Sequence, residues 1–360
     1  MRVQVLPNTT SEVELSFAGR VRIASFPGLE TLDEGLYPTV RVQHVAGGLL
    51  VEDGPVTDPI RFVSLDDETI TVRAGVEGEV RRFRGVIDIL PGDSGLLVIN
   101  ELSTEQYLAG VVGQEMGAAF SAEALKAQAI AARTVTLYQL RAKGTNELAP
   151  VQAYGGFDAE SPTVLRAVAE TTGWVLTFDG KLFQSYYHSS CGGHTANGQF
   201  FNEREIAPLG GVDCRYCEGA PGREWSDEVS LAELELGLRS WVERRGILLG
   251  RITTLEPIVE EGAVRPFYLR VRHTNGAFEI RVGLLRELVN AAFPDKIRST
   301  LFDVAIVRAA GAVTVARFTG KGHGHGVGFC QHGAGTMAKE RDYQGILAHY
   351  YPESGLLRVY

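Results

Sequence analysis

The sequence predicts an α+β protein, with an all-β module over residues 1–95 followed by a mixed helix and strand core over 96–360. Three observations carry this. The first 95 residues break into short Val- and Ile-rich runs separated by Gly, Pro and Asp turns. A capped helix starting at Ser103 and an alanine-rich helix at Ala122–Arg141 come next. From 174 onward, strand and helix patterns alternate around a glycine-rich segment at 320–335. A chain of 360 residues is long enough for two or three cores.

In the first module VQVLP, VELSF, VRIASF, TVRVQHV, ITVRA and VIDIL read as strands, and PGLE, AGG and EDGP as turns. A sandwich or barrel is expected, and no catalytic constellation stands out in it. Ser103 and Gln106 then form an S-x-x-Q capping box. On a helical period Leu108, Val111 and Val112 share one face, and Glu115 falls on that same stripe. Desolvation in a mostly apolar setting raises a carboxyl pKa, as a general acid working near neutrality requires. The plainer alternative is a Glu at a helix end, paired with an Arg or half-exposed where Gly117 ends the turn.

Ser121 precedes the second helix, which Lys143-Gly144 stops; its alanines 124, 127, 129, 131 and 132 leave a smooth surface for close packing. Ser161-Pro162 starts a third helix ending near Thr172-Gly173. Val175–Phe178 and Leu182–Tyr187 flank Asp179-Gly180, a two-residue hairpin signal. Beyond 230 come a helix (LAELELGLRSWVERRG), strands (YLRVRHT, AFEIRV), a helix (LLRELVNAAF) and strands around Phe302 and Val313. The last helix falls near Thr336–Glu340 or Tyr343–Tyr350 and ends at Pro352.

An apolar content of 44% and a charged content of 22% are those of a globular protein. A net charge of −9 without a Lys/Arg-dense segment argues against nucleic acid as partner. The apolar stretches are too short to span a bilayer, and MRVQVLPNTTSEVELSF lacks the apolar core of a signal peptide. The protein is therefore expected either in the cytoplasm or with its export signal outside this chain.

Two constellations could carry chemistry. In GKGHGHGVGFCQHGAG, glycine at 320, 322, 324, 326, 328, 333 and 335 lets backbone approach a ligand closely. The Lys-Ser/Thr pair of a phosphate loop is missing, so a neutral saccharide fits better, with Gly324, His325, Gly326 and Gln331 toward it; a tight strand-to-helix connection is the alternative. In SYYHSSCGGHT and CRYC, Cys191, His194, Cys214 and Cys217 form the preferred tetrahedral zinc set, with His188 as competing histidine. Four ligands with no open position make such a zinc structural. A disulfide is the alternative in an exported protein, and Cys330 reads as a small buried residue. His188 and Ser189 border a cleft in this reading, and Ser299, in the polar turn RSTLF, either lines a groove or caps a turn.

Taken together, YLAGVVGQEM with EALKAQAIAART, YYHSSCGGHT, RSTLF, GHGHGVGFCQHGAGTMA and ILAHYYP resemble the stage II sporulation protein D family, in the family's order, over roughly residues 100–360. The resemblance implies a peptidoglycan lytic transglycosylase that cleaves the MurNAc–GlcNAc bond and forms 1,6-anhydroMurNAc. It puts the catalytic Glu of the family's E-M motif on Glu115, its His-bearing strand on His188 and its Gly-His-Gly-Val-Gly loop on Gly324–Gly328. The cysteine cluster resembles a metal-bearing subset of the family. Gly117, Phe120 and His323 depart from the family pattern, which often has Pro, Trp and an aromatic there; these read as changes in groove lining. The expected partners are glycan strands and an amidase or other cell-wall hydrolase, and the cell envelope is the implied location. Family relatives described as amidase enhancers supply the alternative, a murein-binding protein that does not cut. A zinc hydrolase at the cysteine cluster is a third reading, disfavoured by the absence of H-E-x-x-H.

Overall fold

Alternating Val, Ile and Leu against polar residues builds two six-stranded antiparallel sheets over residues 2–101. The computed structural model describes residues 1–66, 68–143, 152–201, 206–308 and 314–360. Gly144 and Val313 lie outside these. One sheet runs Arg2–Gln4, Leu96–Glu101, Val86–Pro91, Ile60–Ser64, Arg20–Ser25 and Thr31–Leu36; the other runs Val80–Phe83, Ile70–Ala74, Glu12–Phe17, Thr39–Val45, Gly48–Val51 and Gly54–Val56. Val13, Leu15, Val42 and Ile70 of the second and Val21, Phe62, Ile87 and Val98 of the first are fully buried. Phe17 and Phe62 stack across the two sheets at 6.0 Å, so the module is a sandwich. Strand Thr31–Leu36 has no apolar alternation to announce it and is an exposed edge.

Three helices follow: α1 (Thr104–Glu115), α2 (Ala122–Lys143) and α3 (Pro162–Glu170). The capping box forms, with Ser103 accepting from the Gln106 N–H and Gln106 reaching back to the Ser103 backbone. Ser161 caps α3 by accepting from the Val164 N–H. Ala124, Ala127, Ala129, Ala131 and Ala132 are all fully buried. Arg133, also buried, grips Glu105 of α1 through Nε and Nη2 at 2.9 and 2.6 Å. These elements belong to one compact unit, Met1–Val175 with Leu182–Gln184 and Leu357–Tyr360. The expected boundary near residue 95 lies inside this unit.

The second unit comprises Leu176–Lys181 and Ser185–Leu356. It holds two three-stranded antiparallel sheets, one ordered Glu224–Ser230, Thr314–Lys321, Leu301–Arg308 and the other Ile252–Ile258, Tyr268–His273, Gly276–Arg281. Helices α4 (Leu231–Glu243) and α5 (Val282–Ala292) follow a strand of each. Asp179 and Gly180 take φ of 49° and 70°, the left-handed pair of the expected turn. Tyr187, expected at the end of that hairpin's second strand, instead pairs, with His188 beside it, in parallel to Phe329–Cys330. Helices α6 (Gln331–Met337) and α7 (Tyr343–Tyr350) follow, before a final strand at Gly355–Arg358. No described helix is long and apolar enough to cross a membrane.

Candidate functional site

In the first unit Glu115 is the last residue of α1. Leu108, Val111 and Val112 are fully buried, whereas Glu115, one turn further, is half-buried. Its Oε1 accepts the Ala153 N–H at 3.2 Å. The preceding residue, Gln152, donates through Nε2 to Tyr107 Oη at 3.2 Å and Thr136 Oγ1 at 2.7 Å, tying this segment to α1 and α2. Tyr154 packs on Tyr107 at 5.3 Å and donates to Asn100 Oδ1 at 2.7 Å. Burial pushes the Tyr107 phenol up; the Gln152 bond opposes the rise and the Glu115 charge adds to it. The setting of Glu115 is thus aromatic and hydrogen-bonded rather than purely apolar.

The segment around Ala153 is clamped from the β module. Arg81 donates to the Tyr154 carbonyl at 2.7 Å, Arg82 pairs with Asp158 at 2.6 Å, and Arg84 pairs with Glu160 at 2.9 Å. Any side chain at Gly113 would strike the Ala159 carbonyl, so helix and segment touch backbone to backbone. A polar cavity of about 460 Å³ opens here, lined among others by Arg81, Gln114, Ala153, Tyr154 and Asp158. Gln114 and Ala153 are the covalent and the hydrogen-bonded neighbour of Glu115.

In the second unit the Tyr187–His188 and Phe329–Cys330 pairing lays the 185–195 segment beside the glycine loop. Ser190 and His323 exchange backbone hydrogen bonds of 3.1 and 2.8 Å. His188 is 4% exposed and its Nδ1 lies 3.0 Å from the Val327 carbonyl, which makes Nδ1 the donor. Its Nε2 is buried without a partner among the described residues. The His325 ring meets His188 edge-on at 5.4 Å and Phe201 at 4.9 Å. His325 Nδ1 accepts the Val327 N–H at 3.1 Å. Burial pushes His325 down to about 3 and His188 well below its ordinary value, so both imidazoles are neutral at pH 7.

Of the other expected contact residues, Ser189 is half-buried beside His188, and Gly324 and Gly326 stand in the loop with φ of 99° and 85°. Gln331 starts α6 and is buried. Ser299 does not line a groove: it is 1% exposed, donates to the Lys321 carbonyl at 2.7 Å and accepts the Trp225 Nε1–H at 3.3 Å. Its hydroxyl is consumed internally.

The cysteines converge, with one exchange from the expected set. Cys191, Cys214, Cys217 and Cys330 bring four sulfurs within 4.8 Å of one another, all buried. Cys330 takes the place expected of His194, whose Nδ1 lies 2.7 Å from the Thr195 carbonyl. The parallel pairing of His188 with Cys330 delivers that thiol, a contact no spacing in the sequence announces. All four cysteines are free, and Cys191 and Cys217 Sγ stand 3.4 Å apart, far beyond a disulfide bond. Tetrahedral zinc with bonds of about 2.3 Å needs sulfurs about 3.8 Å apart, and the donor set is the soft thiolate kind. The Cys191 N–H donates to Cys330 Sγ at 3.3 Å and the Gly193 N–H to Cys191 Sγ at 3.4 Å, bonds that favour thiolates. Hydrogen bonding from Cys191 and Cys214 holds Cys217 far below the thiol range, while burial pushes Cys330 far above it. Four clustered thiols cannot all ionise unaided, and a cation removes that conflict. The cluster could hold a metal ion.

Nothing in the sequence marks Tyr107 and Gln152 as parts of the Glu115 setting, since a buried Tyr or a half-buried Gln looks like any other until its neighbours are known.

Comparison with known families matches residues 92–178, which contain Glu115, to the stage II sporulation protein family SpoIID. Residues 220–328 match a domain of unknown function (DUF8618). An uncharacterized protein of Brachyspira hyodysenteriae is 31% identical over 326 residues, covering 87% of this chain and 80% of that protein. The amidase enhancer of Bacillus subtilis is 27% identical over 286 residues; the match covers 69% of this chain but 40% of that longer protein. Stage II sporulation protein D of Bacillus amyloliquefaciens is 26% identical over 274 residues, covering 70% of this chain and 74% of that protein. With one relative above 30% identity along most of both sequences, and the family match falling on the helices that carry Glu115, the chain belongs to the stage II sporulation protein D family.

Proposed function

We propose that this protein is a peptidoglycan lytic transglycosylase of the cell envelope, with Glu115 as its acid and then its base. Family membership supports a cell-wall role. The observation that carries the finer reading is Glu115 itself, half-buried at the end of α1, held by the Ala153 N–H beside a polar cavity of about 460 Å³. Ordinary glycosidases use two carboxylates. Here the substrate supplies the nucleophile. Protonated Glu115 gives its proton to the glycosidic oxygen as the C1–O bond breaks. The muramyl C6 hydroxyl then closes on C1, and its proton returns to Glu115, so no water enters. His188, Ser189, Gly324, His325, Gly326 and Gln331 are proposed to contact the glycan through neutral polar groups and backbone. Zinc, held by Cys191, Cys214, Cys217 and Cys330, would supply structural cross-linking and take no part in bond cleavage.

The relative named amidase enhancer favours a second reading, in which the chain binds murein and acts on a hydrolase without cutting. One experiment separates the two: incubation with purified sacculi and with glycan strands stripped of stem peptides, followed by mass analysis. Products with 1,6-anhydro ends support cleavage. Binding without such ends supports the second reading and removes the first.

A further inference from the structure

Arg265 is a buried charge without a carboxylate. It is 2% exposed, and among the described residues no acidic side chain lies within ion-pair reach of it. Its Nε is buried without a partner. Such a guanidinium is costly to bury unless another anion faces it. The anionic partner on offer is the cysteine cluster itself, once a bound metal ion has turned Cys191, Cys214, Cys217 and Cys330 into thiolates.

Its hydrogen bonds reach two segments directly and a third through Thr300. Nη2 donates to the Cys191 carbonyl at 3.0 Å and also to the His194 carbonyl, clasping both ends of the turn that presents Cys191. Nη1 donates to Thr300 Oγ1 at 3.0 Å, and Thr300 Oγ1 donates in turn to the His325 carbonyl at 2.8 Å. Gly326, at φ 85°, lies against the guanidinium so closely that any side chain there would strike Nη1. A single fork therefore joins the Cys191 turn to the glycine loop.

We propose that Arg265 is the counter-ion of a metal–thiolate centre at Cys191, Cys214, Cys217 and Cys330, and the strut through which that centre holds the Gly324–Gly328 loop. Four thiolates around a divalent cation leave a doubly negative centre in a buried place, and Arg265 neutralises part of it. Losing the metal then releases the Cys191 turn, Arg265 and the loop together. None of this depends on Glu115 cutting glycan. The inference goes beyond that reading and survives its failure.

The test uses the full chain purified with zinc, and reads metal content, zinc affinity by chelator competition, and amide hydrogen exchange over 322–328. In the wild type, chelation speeds exchange in this loop. Arg265→Met lowers zinc affinity about tenfold or more. Arg265→Lys keeps the charge but loses the fork, so zinc is retained while the loop exchanges faster. Thr300→Val does the same by cutting only the link to His325. A wild type that binds no zinc, or an Arg265→Met variant that holds it as tightly as wild type, overturns the proposal. Should Arg265→Met fail to fold, Arg265→Lys and Thr300→Val decide: faster loop exchange with zinc retained supports the strut, and unchanged exchange overturns it.

Discussion

The backbone N–H of Ala153 donates to Oε1 of Glu115 at 3.2 Å, joining the end of α1 to a segment 38 residues away in the chain. That segment is itself held by Arg81, Arg82 and Arg84 of the β module. The position of the carboxyl is therefore set by the sandwich as much as by its own helix. A Glu at a frayed helix end would lose much of its catalytic value, because reactive geometry must hold to a fraction of an ångström.

Glu115→Gln keeps an acceptor for the Ala153 N–H and the same shape, and removes only the proton. We expect release of 1,6-anhydro products to fall at least about 100-fold, with thermal melting and glycan binding within error of wild type. Full turnover by this variant in the mass assay would remove Glu115 from its proposed role.

The neutral histidines predict an acid-sensitive second unit. His325 has a folded value of about 3, against an unfolded value of about 6.5. Between these values the unfolded chain binds the proton and the folded one does not, so stability is whole above about pH 6.5 and falls as pH drops toward 3. From pH 7 to 4.5 the loss from His325 is roughly 2–3 kcal/mol. Denaturant melts at the two pH values measure it. His325→Asn, which can still accept the Val327 N–H, should flatten the dependence; an equally steep slope in that variant would place the titration elsewhere.

Ser299 offers a check on a residue that the polar turn RSTLF made attractive. Its hydroxyl serves Lys321 and Trp225, both within the second unit. Ser299→Ala should cost about 1–3 kcal/mol, the range for stranding buried hydrogen-bonding groups, and leave glycan affinity per folded molecule unchanged. A selective loss of affinity at full stability would restore it to the binding surface.

What the sequence made legible follows from range. Ser103 with Gln106, Ser161 before Pro162, Asp179-Gly180 and the alanines of α2 act within one or two turns of chain, and each is found as read. Strand Thr31–Leu36 escaped because an exposed edge has no buried face to impose alternation. The visible local turn draws Tyr187 into a hairpin with Val175–Phe178, whereas its partner strand at Phe329–Cys330 lies 142 residues on. The same long-range pairing hid the fourth sulfur. Periodicity carries no information about which distant thiol will arrive beside a turn.

That exchange of His194 for Cys330 makes a sharp prediction about metal. A ligand set with His194 would lose its ion on His194→Ala and tolerate Cys330→Ser. The observed cluster demands the reverse, since Cys330 Sγ shares the 4.8 Å group and receives the Cys191 N–H, while His194 turns Nδ1 to the Thr195 carbonyl. Replacing a thiolate by a hydroxyl at a buried four-sulfur site removes both charge and softness, so Cys330→Ser should weaken zinc binding by well over about tenfold. Because folding free energy and metal binding are linked, the same variant should melt lower, and adding chelator should lower its melting point less than it does for wild type. His194→Ala should match wild type in zinc stoichiometry and in its response to chelator. Zinc content by mass spectrometry on the two purified variants decides between the sets, and metal lost from His194→Ala but kept by Cys330→Ser would return the histidine to the site.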